Sequence, residues 1–341
     1  MAAEERLENQ VPSDTDSDSP AGLPVSGGAD KPLYQRANVA KEDDADLQAL
    51  ADKHGVGLVA YVGSYFGVRI SPVHTVTPSI ELFDEFCIEQ VISEFDRAGV
   101  KKAYFLINSF GGALDSAYKI AKGLRTHLQE IITFVPHIAA SGGTLLALTG
   151  NKIVMSSMSN ISPLDPQLRY RGTYISATAG RRAFNRAVRF FEKRSVDETP
   201  YPLRQFSEML DPYTLTQWDN VCLTARMYIE EILELVGYKD AGQIADKLIW
   251  NFPTHSHVIG ADAAKALDLN IEDASVHQIQ WNCMRDWLRR YLFEPQAENV
   301  IRYVLPNAPN THKTAQPSQG GAAARQRQSA NRKGTRHAKV R

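Results

Sequence analysis

Between residues 58 and 155, short apolar runs alternate with stretches whose apolar positions recur every three or four residues. Leu58-Val59-Ala60-Tyr61-Val62, Ala103-Tyr104-Phe105-Leu106-Ile107, Ile131 to Val135 and Lys152-Ile153-Val154-Met155 read as strands, because a short continuous apolar run suits a strand buried on both faces. Between them, Phe83, Cys87, Ile88, Val91, Ile92 and Phe95 share one face at helical spacing, as do Leu114, Ala117, Ile120, Ala121, Leu124 and Leu128. Thr144 to Leu148 continues as a further helix. Strands alternating with helices predict parallel βαβ units, hence an α/β core covered on both sides of its sheet.

Downstream the period becomes helical. Arg181 to Lys193, Tyr213 to Val236, Ala241 to Ile249, Ile259 to Leu267 and Trp281 to Phe293 are predicted helices. They would cover the sheet or build a subunit interface. Residues 1–40 are rich in Asp, Ser, Pro and Gly with few large apolar groups, so the segment cannot offset its ordering entropy and is expected to be disordered. The body is placed at 45–305. Residues 306–341 form a polar tail in which Lys313, Arg325, Arg327, Arg332, Lys333, Arg336, Lys339 and Arg341 meet no acid. Such a tail suits weak contact with nucleic acid or an acidic partner, although a solvated tail without a specific partner is the plainer expectation.

Composition narrows the class only slightly. The 341 residues carry a net charge of −1, which implies no global attraction to nucleic acid or membrane. Cys87, Cys222 and Cys283 are widely spaced and form no CxxC pair, which argues against a disulfide framework and a thiolate zinc site. The N-terminus lacks a cationic start followed by an apolar core, and stretches such as Ile138 to Leu148 are too short to span a bilayer. A cytoplasmic protein is therefore the expectation. No phosphate loop is present and no cofactor is expected, so any ATP-driven unfoldase would be a separate chain.

Two places carry chemistry. Ile107-Asn108-Ser109-Phe110-Gly111-Gly112 and Ala139-Ala140-Ser141-Gly142-Gly143-Thr144 each put a glycine pair between an apolar strand and a helix, and the second adds a serine at the handover. Glycines let backbone and substrate approach closely, and helix starts expose N–H groups that hold negative charge. Acyl transfer needs a nucleophile, a base and donors for the developing oxyanion, each donor being worth about 3 kcal/mol. A lone Ser-Gly-Gly turn would more often be a helix cap. Two such turns in succession favour a serine nucleophile with amide donors from both loops.

INSFGG (107–112) followed by AASGGTLLAL (139–148) resembles the Clp-type and signal-peptide-peptidase-A-type serine peptidases, which share the ClpP/crotonase-like fold. KIVMSSMSNISPLDPQL (152–168) and PTHSHVIGADAAKALDL (253–269) are similar to the serine dehydrogenase proteinase family, a soluble branch of that group. The resemblance spans about residues 55–272. It implies Ser141 as nucleophile, Gly142 N–H as one oxyanion donor and Gly111 or Gly112 as the other. It also implies peptides or unfolded chains as substrates, and a homo-oligomer that restricts their entry. Clp peptidases place a histidine in the strand after the nucleophile helix, whereas Ile161 to Leu168 holds none. Two bases compete. Lys193 lies at a distance like that of the signal-peptide-peptidase-A lysine and would need desolvation to act near neutrality. His255, in the PTH element, would need no such shift. His137 is expected to pack or bind backbone, Asp165 to sit in a rigid loop between two prolines, and His255 with His257 to lack a third metal ligand. The alternatives are a catalytically silent scaffold of this fold and, further off, a crotonase-type acyl-CoA enzyme that does not use Ser141.

Overall fold

The computed structural model describes residues 38–39, 44–170, 172–192, 195, 197–199, 201, 205 and 212–307. Contacts divide the chain into Met1–Pro306 and Asn307–Arg341. Most of the two segments expected to be disordered lies outside the described residues, as does Lys193.

In chain order the elements are β1 (Asn38–Val39), α1 (Ala45–His54), β2 (Gly57–Val62), β3 (Val68–Ser71), β4 (His74–Val76), α2 (Leu82–Arg97), β5 (Lys102–Asn108), α3 (Leu114–His127) and β6 (Glu130–Val135). There follow β7 (Ile138–Ala139), α4 (Gly142–Ala147), β8 (Lys152–Met155), β9 (Asn160–Ile161), β10 (Gln167–Tyr170), β11 (Thr173–Ser176) and α5 (Ala177–Phe191). The chain continues through α6 (Pro212–Val236), α7 (Ala241–Trp250), β12 (Ile259–Gly260), α8 (Ala261–Lys265), β13 (Ile271–Asp273), α9 (Gln278–Leu292) and β14 (Val300–Val304).

The main sheet runs β1-β14-β2-β5-β6-β8-β13. From β2 through β13 every neighbouring pair is parallel, as the βαβ pattern predicts. The C-terminal β14 departs from that pattern by entering antiparallel to β2. Side chains alternate across each strand, so one run feeds two cores. Val59, Tyr61, Phe105, Ile107, Ile153 and Met155 pack with α2, α3, α4, α6 and α7. Leu58, Ala60, Val62, Leu106, Phe134 and Val154 pack with α1 and α9 around Trp287. Each such side chain contributes about 1.5–3 kcal/mol on burial.

A small second sheet, β12-β9-β7, forms around β7, the strand that runs toward Ser141. It corrects one expectation: Ile259 and Gly260 begin the predicted helix 259–267 as a strand pairing antiparallel with β9, and α8 covers only Ala261–Lys265. The β10–β11 hairpin leads into α5 and is backed by a separate cluster of Ala177, Trp218 and Cys222.

Candidate active site

The carboxyl ends of β5 and β7 meet at the two glycine turns. Ser109 and Ala139 form a parallel bridge, with Ser109 N donating to Ile138 O at 2.9 Å and Ala140 N to Ser109 O at 2.8 Å. Ile80 closes the other side: its N–H donates to Gly111 O at 2.9 Å, and its carbonyl accepts from Ala113 N at 2.8 Å. Gly111 and Gly112 take φ of 99° and 152°, which only glycine adopts without strain. A Cβ on Gly111 would lie 2.7 Å from the Cβ of Ser141, so the two turns are in direct contact. Gly112 N lies 3.5 Å from where a Cβ on Gly142 would stand.

Ser141 has φ 51° and ψ −122°, a backbone conformation that side-chain-bearing residues rarely hold. Neighbouring bonds keep it there. Its N–H donates to Ser162 Oγ at 2.7 Å, and its carbonyl accepts from Thr144 N at 2.8 Å. Thr144 Oγ1 in turn donates to Ala139 O at 2.7 Å and accepts from Ser162 N at 3.0 Å. Despite sitting just before α4, Ser141 makes no side-chain capping bond. Its half-buried hydroxyl has no hydrogen-bond partner among the described residues and lines a cavity of about 850 Å³.

The amides divide in the same way. Gly111 N–H is occupied, donating to Ser109 Oγ at 3.1 Å. Gly112 is exposed, and among the described residues neither its N–H nor that of Gly142 has a partner.

His255 lines the same cavity. Its Nδ1 sits 2.8 Å from Asp165 O, and because a carbonyl only accepts, Nδ1 carries the proton. With Nδ1 bonded in this way, the tautomer that suits the contact has its lone pair on Nε2. Asp165 is 3% exposed, and its Oδ1 has no hydrogen-bond partner. Arg182 donates from α5 to Phe252 O at 3.3 Å and Pro253 O at 3.1 Å, tying down the loop that carries His255. His137 is exposed and packs edge-on against Tyr65. Burial, and then the Asp165 charge, push the Cys222 thiol up to about 12, so it stays protonated near neutrality. Among the described residues no group of three or more His, Cys, Asp or Glu side chains could hold a metal, and no helix is long and apolar enough to cross a membrane.

Three contributors escaped the sequence reading: Ile80, Ser162 and Arg182. Ser162 stood in the quoted SNISPLDP stretch without a distinguishing signal, and the other two act through pairings that no local pattern announces.

Residues 96–183 match the family model of ClpP-like SDH-type serine proteinases. Over that segment the chain is similar to that family. The matched segment carries both glycine turns, Ser141 and Asp165 but ends before His255. The parallel sheet with its flanking helices is an α/β architecture, as the sequence pattern predicts. An uncharacterized protein of Methanocaldococcus jannaschii is 29% identical over 175 residues, covering 49% of this chain and 52% of that protein. A second uncharacterized protein of the same organism is 24% identical over 169 residues, covering 49% and 50%. The chain thus spans about half the length of the curated relatives it matches. Among solved structures, a mutant of the membrane-bound stomatin-specific protease 1510-N aligns over 57% of this chain and 74% of that one, at 16% identity and a TM-score of 0.37.

Proposed function

We propose that this chain is a serine peptidase working through a serine acyl-enzyme. Ser141 Oγ attacks the substrate carbonyl and passes its proton to His255 Nε2, which later delivers it to the leaving amine. The developing oxyanion is taken by the amides of Gly112 and Gly142, preorganised donors of the kind worth about 3 kcal/mol apiece. Water then attacks the ester, His255 takes a proton from it, and Ser141 is released. The observation that carries this reading is the contact of the two glycine turns, which leaves two unpaired amides beside an uncapped serine hydroxyl. The main-chain bond from His255 Nδ1 to Asp165 O supports His255 as the base, because it fixes the tautomer that can accept the serine proton. Lys193 remains the rival base.

Labelling with a fluorophosphonate probe tests the proposal. The wild type should be modified at Ser141, as located by mass spectrometry, and Ser141→Ala should take up no label. Peptide hydrolysis by that variant should fall by about 10⁴-fold or more. A Ser141→Ala protein that still hydrolyses peptides within tenfold of the wild-type rate would contradict the assignment.

A further inference from the structure

The carboxylates of this protein are treated in two different ways. At several places on the surface a carboxylate sits against a cation: Glu85 with Lys119, Asp96 with Lys101, Glu231 with Lys122, Glu272 with Lys152, Asp246 with Arg226, and Asp268 with Lys247. The Ser141 cavity gathers acids without such a cation. Three of its lining residues are acids, Glu81, Asp115 and Asp165, and none has an ion-pair partner among the described residues. No described Lys or Arg lines the cavity.

Glu81 and Asp115 stand at the starts of α2 and α3, where the helix amides tolerate a negative charge. Asp165 lacks even that support. It is 3% exposed, its Oδ1 is unpartnered, and the bond from His255 goes to its main-chain oxygen and not to its carboxylate. A buried carboxylate without a donor is costly, and the natural remedy is a cation brought in from outside. The walls suit the rest of such a group. Tyr174 and Val221 offer apolar surface along which the methylene stem of a lysine or arginine can lie.

We infer that the Ser141 cavity selects cationic peptides, taking a lysine or arginine side chain next to the scissile bond with its charge among Glu81, Asp115 and Asp165. The inference rests on the peptidase reading of Ser141 and names its substrate class.

The test uses full-length Ser141→Ala, which binds without turnover, and two fluorescent peptides that differ only by lysine against norleucine. Anisotropy titrations should show the lysine peptide binding about tenfold more tightly at low salt, with the preference shrinking as salt screens the charges. Glu81→Gln and Asp115→Asn keep shape and hydrogen-bonding capacity, and each should reduce the preference by about twofold to fivefold. Equal affinity for the two peptides, or a preference indifferent to both substitutions, overturns the inference. The hydrolysis ratio for the same peptides, measured on a Glu81→Gln/Asp115→Asn protein with Ser141 intact, gives an independent check: a ratio that collapses toward one supports the inference, and an unchanged ratio overturns it. Fluorophosphonate labelling separates the two levels. Labelled Ser141 without charge preference removes the cationic specificity alone, whereas retained lysine preference without labelling removes the peptidase reading and upholds cation binding.

Discussion

The two halves of the site are built by different means. The proposed nucleophile half is backbone held mostly by backbone: the turns at Gly112 and Ser141 are tied to each other and to Ile80 by main-chain bonds of 2.8–2.9 Å, and Ser141 N–H to Ser162 Oγ at 2.7 Å. It sits at the ends of buried parallel strands and against the larger core. The proposed base half is a mostly exposed loop after α7, fixed by a ring bond to Asp165 O and two bonds from Arg182. Oxyanion donors must be aimed before the reaction begins, so they gain from a rigid scaffold. An imidazole needs only the right tautomer and the right reach, which a few side-chain bonds can supply.

The largest effect that would break this comparison comes from the base. Replacing His255 by Ala should lower peptide hydrolysis by about 10²–10⁴-fold at neutral pH, the usual worth of a general base, with little change in melting temperature because the loop is largely exposed. Lys193→Ala, assayed beside it, should stay within a few-fold of wild type. If the two variants exchange these outcomes, the proton goes to lysine and the loop loses its catalytic role.

The contrast also governs how much could be read from sequence. The nucleophile half was legible because glycine records backbone geometry directly: φ of 99° and 152° at Gly111 and Gly112 admit almost nothing else. The strands of the parallel core were legible too, since burial on both faces leaves a continuous apolar run. The base half was visible only through family likeness, because a bond between residues 90 positions apart leaves no periodic trace. For the same reason β14 went unread. Val300–Val304 is a five-residue run with Arg302 at its centre, and it becomes a strand by pairing with Leu58–Val62 far upstream. Ile259 was read as helical from the apolar spacing that follows it, whereas pairing with Ile161 sets its conformation.

Next in size is the glycine whose amide faces the cavity. A Cβ on Gly112 would stand 2.3 Å from Ile80 N and 2.4 Å from Ile80 O, both main-chain atoms unable to yield. Gly112→Ala should therefore cost about 1–3 kcal/mol of stability through strain and displacement. By moving one oxyanion donor it should also cut kcat by about 10²–10³-fold. A variant that melts lower yet keeps full kcat would show that Gly112 serves packing alone and would pass the donor role to another amide.

The base half should yield more gently. Arg182→Gln removes the two bonds to the Phe252 and Pro253 carbonyls from an exposed position, so its cost in stability should be small. Loosening the His255 loop should lower kcat/KM by about threefold to tenfold, while fluorophosphonate still reaches Ser141. A fall as large as that of Gly112→Ala would mean that the loop is no softer than the turns, and the contrast between the two halves would go.

The smallest effect tests how the rigid half is supported from below. Asp84 Oδ2 accepts from Tyr61 Oη at 2.6 Å, Asn299 Nδ2 at 2.9 Å and Glu81 N at 3.0 Å, while Asn299 Nδ2 also reaches Ser79 O at 2.7 Å. This buried cluster braces the segment Ser79-Ile80-Glu81, whose middle residue fixes the Gly112 turn. Burial raises the Asp84 carboxyl above its ordinary range, more than offsetting the hydrogen bonds from Tyr61, Glu81 and Asn299 that pull it down. A raised carboxyl binds its proton more tightly in the folded chain than in the unfolded one. The stability it confers is therefore fully present below the ordinary aspartate range and is lost as pH rises through the higher folded value. Urea midpoints of wild type should accordingly drift down across the mildly acidic range relative to those of Asp84→Asn, which cannot titrate there. Parallel pH profiles for the two proteins would mean that burial costs this carboxylate nothing, and the brace beneath Ile80 would then owe its rigidity to packing alone.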